Sequence, residues 1–239
     1  MIKYINIALF AGMIVMNWLA NALPLNNVTT GELSDSYPNL FVPAGITFSI
    51  WGIIYLLLGI FCGVQFMQSN SRIVSSIGWV FAVTCLLNGL WIVAWHFRLV
   101  PLSLLIMVLL LLSLIYINTT IRDTPFGLIK AAFGVYLGWI CIATIANVTA
   151  LLVNYSWGGF GIGQQAWTII MIATGTIIVF LTIFRLMNPF IGLSVIWAFA
   201  GIAIKRQDDY KVIFMSAIVA MVIITVATLA AFMRKKLLP

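Results

Sequence analysis

The chain has 239 residues, of which 64% are hydrophobic and only 7% charged, with a mean hydropathy of +1.17. A soluble core of this size cannot hide so much apolar surface, so the composition excludes a soluble domain and implies a polytopic membrane protein. The formal net charge of +7 comes from basic residues at the ends of apolar runs, which read as topology signals and not as a nucleic-acid patch.

A hydrocarbon layer of about 30 Å takes about 20 apolar residues per helix. Eight runs are candidates: 5–25, 43–68, 75–96, 101–119, 128–153, 164–184, 189–205 and 211–233. In the first, Lys3, the apolar stretch and Ala20-Asn21-Ala22 mimic a cleavable signal peptide. Asn17 and Trp18 inside that stretch argue for a retained helix, which Pro24 closes. The connection from Asn26 to Val42 is long, polar and carries Glu32 and Asp35, a length that suits a lid or binding element as well as a passive surface loop. Pro43 opens the second run, where Phe48, Trp51 and Tyr55 share a helix face and Gly59-x-x-x-Gly63 permits close helix approach. The third run places Asn88, Trp91 and Trp95 on one face and ends at the only histidine, His96, read as an interfacial residue beside Arg98.

Pro101 opens the fourth run. The fifth carries Trp139, Ala143 and Asn147 at i, i+4 and i+8, and a second small pair, Gly134-x-x-x-Gly138. Both small pairs are expected to serve contacts within the chain. Residues 155–163, with Trp157 and a run of glycines, follow no strand and contain no Lys or Arg, so they read as a hinge or interfacial turn and not as a nucleotide loop. Trp167, Thr168, Thr174, Thr176 and Thr182 of the sixth run either bond across the bundle or line a path. Asn188-Pro189 separates the sixth run from the seventh, whose Trp197 and Lys205-Arg206 look like interfacial anchors. Arg234-Lys235-Lys236 ends the eighth.

With eight spans, one face collects Lys3, Arg72, Arg122, Lys130, Arg185, Arg234, Lys235 and Lys236, with Asp123 as its acid. The other collects Arg98, Lys205, Arg206 and Lys211, offset by Glu32, Asp35, Asp208 and Asp209. The positive-inside rule then puts both termini in the cytoplasm. Cys62, Cys85 and Cys141 all fall within spans and read as packing residues. The spans hold no Asp or Glu for a proton relay, and one histidine excludes bis-histidine haem ligation within a chain. No zinc-protease motif, metal-spaced cysteine pair or Ser-His-Asp set can be assembled, so neither catalytic residues nor a metal site are assigned.

What remains is a set of aromatic faces. Three helices each present a flat ring, two of them with a carboxamide that donates and accepts, an arrangement suited to a large planar apolar ligand. Indoles and amides also occur in membrane helices simply as interfacial anchors and interhelix ties, so the spacing alone leaves both readings open. The stretches Pro43-Ala44-Gly45-Ile46-Thr47-Phe48-Ser49-Ile50-Trp51-Gly52-Ile53-Ile54-Tyr55, Leu87-Asn88-Gly89-Leu90-Trp91 and Tyr136-Leu137-Gly138-Trp139 through Ala143-Thr144 to Asn147 resemble the tryptophan-rich sensory protein family, bacterial relatives of the mitochondrial translocator protein. The resemblance covers the first five helices. It implies a five-helix membrane bundle that binds porphyrins, sterols and drug-like molecules in a pocket closed by the first loop. Trp51 and Trp139 match pocket tryptophans, Asn88 and Trp91 the family's Asn-x-x-Trp, and Tyr55 and Asn147 further pattern positions. In some members the equivalent tryptophans support light- and oxygen-dependent porphyrin breakdown. Three departures stand out: Phe41-Val42-Pro43-Ala44 replaces the family's Trp-x-Pro-Pro, Tyr155 lacks the following Lys or Arg of the cholesterol pattern, which disfavours sterols, and three helices follow Gly163.

The expectation is therefore an all-α polytopic membrane helix bundle, with residues 1–154 a five-helix translocator-protein-like core, 155–163 a connecting loop and 164–239 three additional transmembrane helices. The ligand-binding residues expected are Trp51, Tyr55, Asn88, Trp91, Trp95, Trp139, Ala143 and Asn147. Function reads as binding or sensing of a porphyrin-like or other planar apolar ligand, with a small-molecule permease or a light-dependent porphyrin-degrading enzyme as alternatives. No cofactor is assigned, a porphyrin or haem entering only as ligand. The partners are the lipid bilayer and an apolar small molecule, with no nucleic acid. A third helix layer would cover the surface through which shorter members pair, which points to a monomer. The location expected is a bacterial cytoplasmic (inner) membrane, multi-pass, with both termini cytoplasmic.

Overall fold

The computed structural model describes residues 1–22 and 25–234, so the roles read for Pro24, Lys235 and Lys236 lie outside the described residues. The described chain is helical: α1 (Ile2–Ala22), α2 (Thr30–Asp35), α3 (Ile50–Val64), α4 (Ser71–Ile77), α5 (Val80–His96), α6 (Val100–Thr120), α7 (Leu128–Asn154), α8 (Gln164–Arg185), α9 (Phe190–Arg206) and α10 (Lys211–Arg234). Helices α1, α3, α7, α6 and α5 pack in that order and close a ring, with α5 returning to α1. Outside the ring α9 lies along α7, α10 covers α9, and α8 packs on α10 and α9. One continuous apolar core runs from Met13 on α1 to Ala231 on α10, while Leu105, Leu109 and Leu112 on α6 and Val219, Val222 and Val226 on α10 face outward.

Among the described residues six helical segments are long and apolar enough to cross a bilayer, one of them Gly45–Val64, which joins a 3-10 turn to α3. A seventh is obtained by counting α4 and α5 as one span bent by 60°. This is fewer than the eight spans expected from the sequence. The run 75–96 does not form one straight helix because Gly78, at φ +56°, takes a backbone conformation that glycine alone adopts without strain and ends α4. The run 189–205 forms α9, which at 17 residues is short for a crossing.

The antiparallel course sorts the basic residues by face. Lys3 lies by the end of α3, where its carbonyl accepts from Gln65, while Arg122 and Arg234 flank one recess. Lys130 is buried and its ammonium donates to the carbonyls of Arg122 and Thr124, closing the end of α6. At the other end of the bundle α9 delivers Lys205 and Arg206 to the first loop.

Polar side chains tie the helices together. Asn17 donates to Asn88 (2.8 Å) and Asn88 to the Tyr136 hydroxyl (2.9 Å), linking α1, α5 and α7. Ser103 on α6 donates to Asn147 on α7 at 2.9 Å. Asn188, before α9, donates to Asn118 Oδ1 (2.7 Å) and to the Lys130 carbonyl (3.0 Å) and accepts from the Phe190 N–H, so one carboxamide holds α6, α7 and α9.

The contact between α7 and α9 depends on small residues. Gly134 faces the Asn188 side chain, and a Cβ on Gly138 would overlap the Ile191 carbonyl and the Ser194 hydroxyl. This small pair serves an intrachain contact. Of the other pair, Gly59 sits against Phe10 of α1, whereas Gly63 has open space around it. Gly138→Val is expected to destabilise the protein by about 1–3 kcal/mol, the usual range for overpacking, and to lower its melting temperature in detergent. Gly63→Val, a change of equal size into open space, is expected to leave the melting temperature nearly unchanged.

Candidate functional site

Three ring helices and the first loop meet at an aromatic cluster. Trp51 on α3 stacks on Tyr55 (5.5 Å between centroids) and meets Trp139 of α7 edge-on at 6.1 Å. Trp91 and Trp95, one helical turn apart on α5, lie nearly parallel at 5.9 Å, and the loop's Tyr37 covers Trp95 at 5.5 Å. Phe48, from the turn that precedes α3, meets Trp139 at 6.0 Å. The rings enclose a cavity of only about 50 Å³. Pockets that hold drug-sized ligands run to about 300–1,000 Å³, so this aromatic site is closed upon itself.

Six of the eight residues singled out in the sequence line this cavity: Trp51, Trp91, Trp95, Trp139, Ala143 and Asn147. The other two do not. Asn88 is fully buried and spends its carboxamide on Asn17 and Tyr136, so its role here is to brace the ring. Tyr55 reaches the site only through its stack on Trp51. Thr30, Ser34, Asn39 and Val42 of the first loop also line the cavity, with Pro43, Phe48 and small or aliphatic residues of α7. Sequence reasoning marked that loop for its length but had no periodicity from which to choose residues within it.

The polar inventory of the cluster is unbalanced. The indole N–H groups of Trp91, Trp95 and Trp139 and the hydroxyl of Tyr55 are buried without a hydrogen-bond partner among the described residues. Each such group costs about 1–3 kcal/mol relative to a bonded one. Three of them, on Trp91, Trp95 and Trp139, belong to side chains that line the small cavity, and the fourth is on the ring that stacks on Trp51.

The first loop is folded over this site. Thr29 and Glu32 form a capping box at the start of α2. The backbone N–H of Thr29 and then its hydroxyl hold the Glu32 carboxyl below its ordinary pKa, so this cap is intact at neutral pH and is lost as pH falls into the acid range. His96, at the end of α5, is wholly buried beneath the loop, with Nδ1 2.9 Å from the Ile92 carbonyl and Nε2 3.5 Å from the Thr30 hydroxyl. Its carbonyl accepts from Asn26 at 3.1 Å, which pins the loop a second time. Asn39 turns the chain by accepting from the N–H groups of Phe41 and Val42.

The other side of the loop is held by α9. Arg206 donates to the carbonyls of Leu40 (3.0 Å) and Asn39 (2.9 Å), and Lys205 pairs with Asp35 at 2.6 Å. The N–H of Ala44 donates to the Gly201 carbonyl at 3.0 Å, and Trp197 Nε1 to the Thr47 carbonyl at 2.9 Å. A Cβ on Gly201 would overlap Thr47 and press on Pro43. Trp197 and Lys205-Arg206, read from the sequence as interfacial anchors, are thus the clasp of the first loop.

The sequence profile of the family described as TSPO-like protein matches residues 3–230. The chain belongs to this family. The match runs past the fifth helix of the ring to include α8, α9 and nearly all of α10, so the helices that the resemblance left without a counterpart fall within the family's profile. No curated protein and no solved structure matches the chain significantly. In this TSPO-like protein the stretch Phe41-Val42-Pro43-Ala44, where the sequence departs from the tryptophan-rich pattern, lies within the segment gripped by α9.

A hydrogen bond to a charged group contributes about 1.5–3 kcal/mol, and Arg206 makes two. Arg206→Gln is expected to speed amide hydrogen exchange of residues 39–44 by about tenfold or more, while exchange in α6 and α7 stays slow. Equal protection of the loop in variant and wild type would show that the clasp is not held by Arg206.

Proposed function

We propose that this TSPO-like protein binds a planar apolar ligand of the porphyrin type between α3, α5 and α7, beneath the first loop, and that it acts as a binding or sensing protein. The observation that carries this reading is the group of partnerless donors on Trp91, Trp95, Trp139 and Tyr55. In lipid such groups are costly, and a flat ligand with acceptor atoms at its edge would satisfy them while stacking on the indoles. The cavity of about 50 Å³ does not hold a porphyrin as it stands, so binding requires the loop and the indoles to move apart. Ligand and clasp would then compete for the position of the first loop, and occupancy would be reported by the loop at the membrane surface.

Membership of the TSPO-like family supports a small-molecule ligand. The finer topology belongs to the same proposal: eight crossings, with α4 and α5 as one bent span and α9 as a short one, and both termini on the cytoplasmic side of a bacterial inner membrane. The segregation of Lys3, Arg122, Lys130 and Arg234 from the loop face supports that orientation.

A dark titration of the detergent-solubilised protein with protoporphyrin, read by tryptophan quenching, tests the reading. Saturable binding weakened about tenfold or more by Trp139→Ala is expected, since a lost aromatic contact and its burial are together worth about 1.4 kcal/mol or more. Binding indifferent to Trp139 would contradict it. Bleaching of the bound porphyrin under light, lost in Trp51→Phe and Trp139→Phe, would convert the binding protein into an enzyme.

A further inference from the structure

A larger space borders the segment 38–42 and shares Asn39 with the lining of the closed indole cluster. One recess, of about 520 Å³, runs between that segment, the last turns of α7 at Thr149 and Leu152, and Trp157, Trp167 and Met171. A second, of about 280 Å³, is bounded by Asp35, Lys205 and Arg206. Pro38, Asn39, Leu40 and Gln164 belong to the walls of both, so the two adjoin.

The walls are built and not merely left over. Trp167 Nε1 donates to the Gly159 carbonyl at 2.9 Å, Trp157 packs on Trp167 at 5.1 Å, and Phe160 closes on Trp157 at 5.2 Å. Gly159, at φ +65°, lets the loop turn against the Trp167 ring, where a Cβ would come within 3.1 Å of Nε1. The glycine-rich connection thus fixes two indoles as one side of the recess. The opposite end has a different chemistry. Among the described residues no charged side chain lines the larger recess, whereas the smaller holds two cations and one carboxylate.

We infer that this outer space is a second ligand site, built for an amphipathic carboxylate: its apolar body lies along Trp157, Trp167 and Met171, and its carboxylate lies toward Lys205 and Arg206. The volume falls in the range of about 300–1,000 Å³ that holds small organic ligands, roughly ten times the room in the indole cluster. The exposed Lys205–Asp35 pair is a weak competitor, so an incoming carboxylate can replace Asp35 at little cost. Because Arg206 also holds the carbonyls of Leu40 and Asn39, an anion bound there touches the clasp of the first loop. The outer walls alone support this site, whatever the inner cluster binds.

The test uses the full chain in phosphatidylcholine nanodiscs, with dansylundecanoic acid as probe and energy transfer from tryptophan to dansyl as readout. Saturable binding is expected, weakened at least fivefold by Lys205→Gln and by Ser156→Phe, which adds bulk at the exposed wall, and unchanged by Trp139→Ala. The methyl ester of the probe is expected to bind at least fivefold more weakly than the acid and to be insensitive to Lys205→Gln. Unchanged melting temperatures confirm that the variants fold. Non-saturable transfer, or saturable transfer that ignores both outer variants, overturns the outer site. Loss of binding in Trp139→Ala alone also overturns it by placing the probe in the inner cluster, and leaves the inner reading standing. Failure of protoporphyrin to respond to Trp139→Ala, with the dansyl results as expected, removes the inner reading and leaves the outer site.

Discussion

A polar group buried in a lipid-embedded bundle has no water to turn to, and this constraint organises the whole structure. It is met at the helix contacts by side chains that each serve several helices. Asn88 joins α1 to α7, Asn147 joins α7 to α6, and Asn188 holds α6, α7 and α9 through both ends of its carboxamide. Among the described residues the other unpaired buried atoms, Asn6 Oδ1 and the hydroxyls of Thr47 and Thr228, are scattered over separate contacts. The exceptions that cluster are the donors of Trp91, Trp95, Trp139 and Tyr55. Three of those donors, on Trp91, Trp95 and Trp139, belong to side chains that line one small cavity, and the proposal of a ligand there starts from them.

The route from sequence to that cluster passes through one close approach. Gly134 and Gly138 remove the side chains that would hold α9 away from α7. With α9 against α7, its far end reaches the first loop, where Gly201 admits Thr47, and Lys205 and Arg206 take Asp35 and two loop carbonyls. The loop in turn covers Trp95 with Tyr37 and lines the cavity with Thr30, Ser34 and Asn39. Small residues on α7, far along the helix from the first loop, thus bear on how tightly the aromatic site is shut at its edge. This gives the helices beyond the five-helix ring a physical task in the TSPO-like chain, as the support against which the loop is held.

Much of this was legible in the sequence. Helical periodicity placed Asn88, Trp91 and Trp95 on one face and Trp139, Ala143 and Asn147 on another, because intrahelical spacing is a local property. Which face meets which is not local. Asn88 and Asn147 carried the same signature, an amide on an indole face, yet one is consumed by Asn17 and Tyr136 and the other lines the cavity. The bend at Gly78 was hidden inside an apolar run whose hydropathy is continuous. The partners of His96 and Lys205-Arg206 were hidden in the same way. Polar residues at helix ends normally meet water or headgroups, and only the folded loop reveals that His96 is buried and that Arg206 donates to carbonyls 166 and 167 positions earlier in the chain.

The central claim is that three specific indoles keep unpaired donors for a ligand, and the indole N–H resonances report on it directly. In protein labelled with ¹⁵N at tryptophan and assigned by single Trp→Phe changes, Trp91, Trp95 and Trp139 should show signals of non-bonded indoles in the free state. Addition of protoporphyrin should move them downfield into the hydrogen-bonded range, while Trp167, already bonded to the Gly159 carbonyl and outside the clasp, should stay in place. Indole protons of Trp91, Trp95 and Trp139 that are already hydrogen-bonded in the free protein, or that ignore saturating protoporphyrin, would contradict the account.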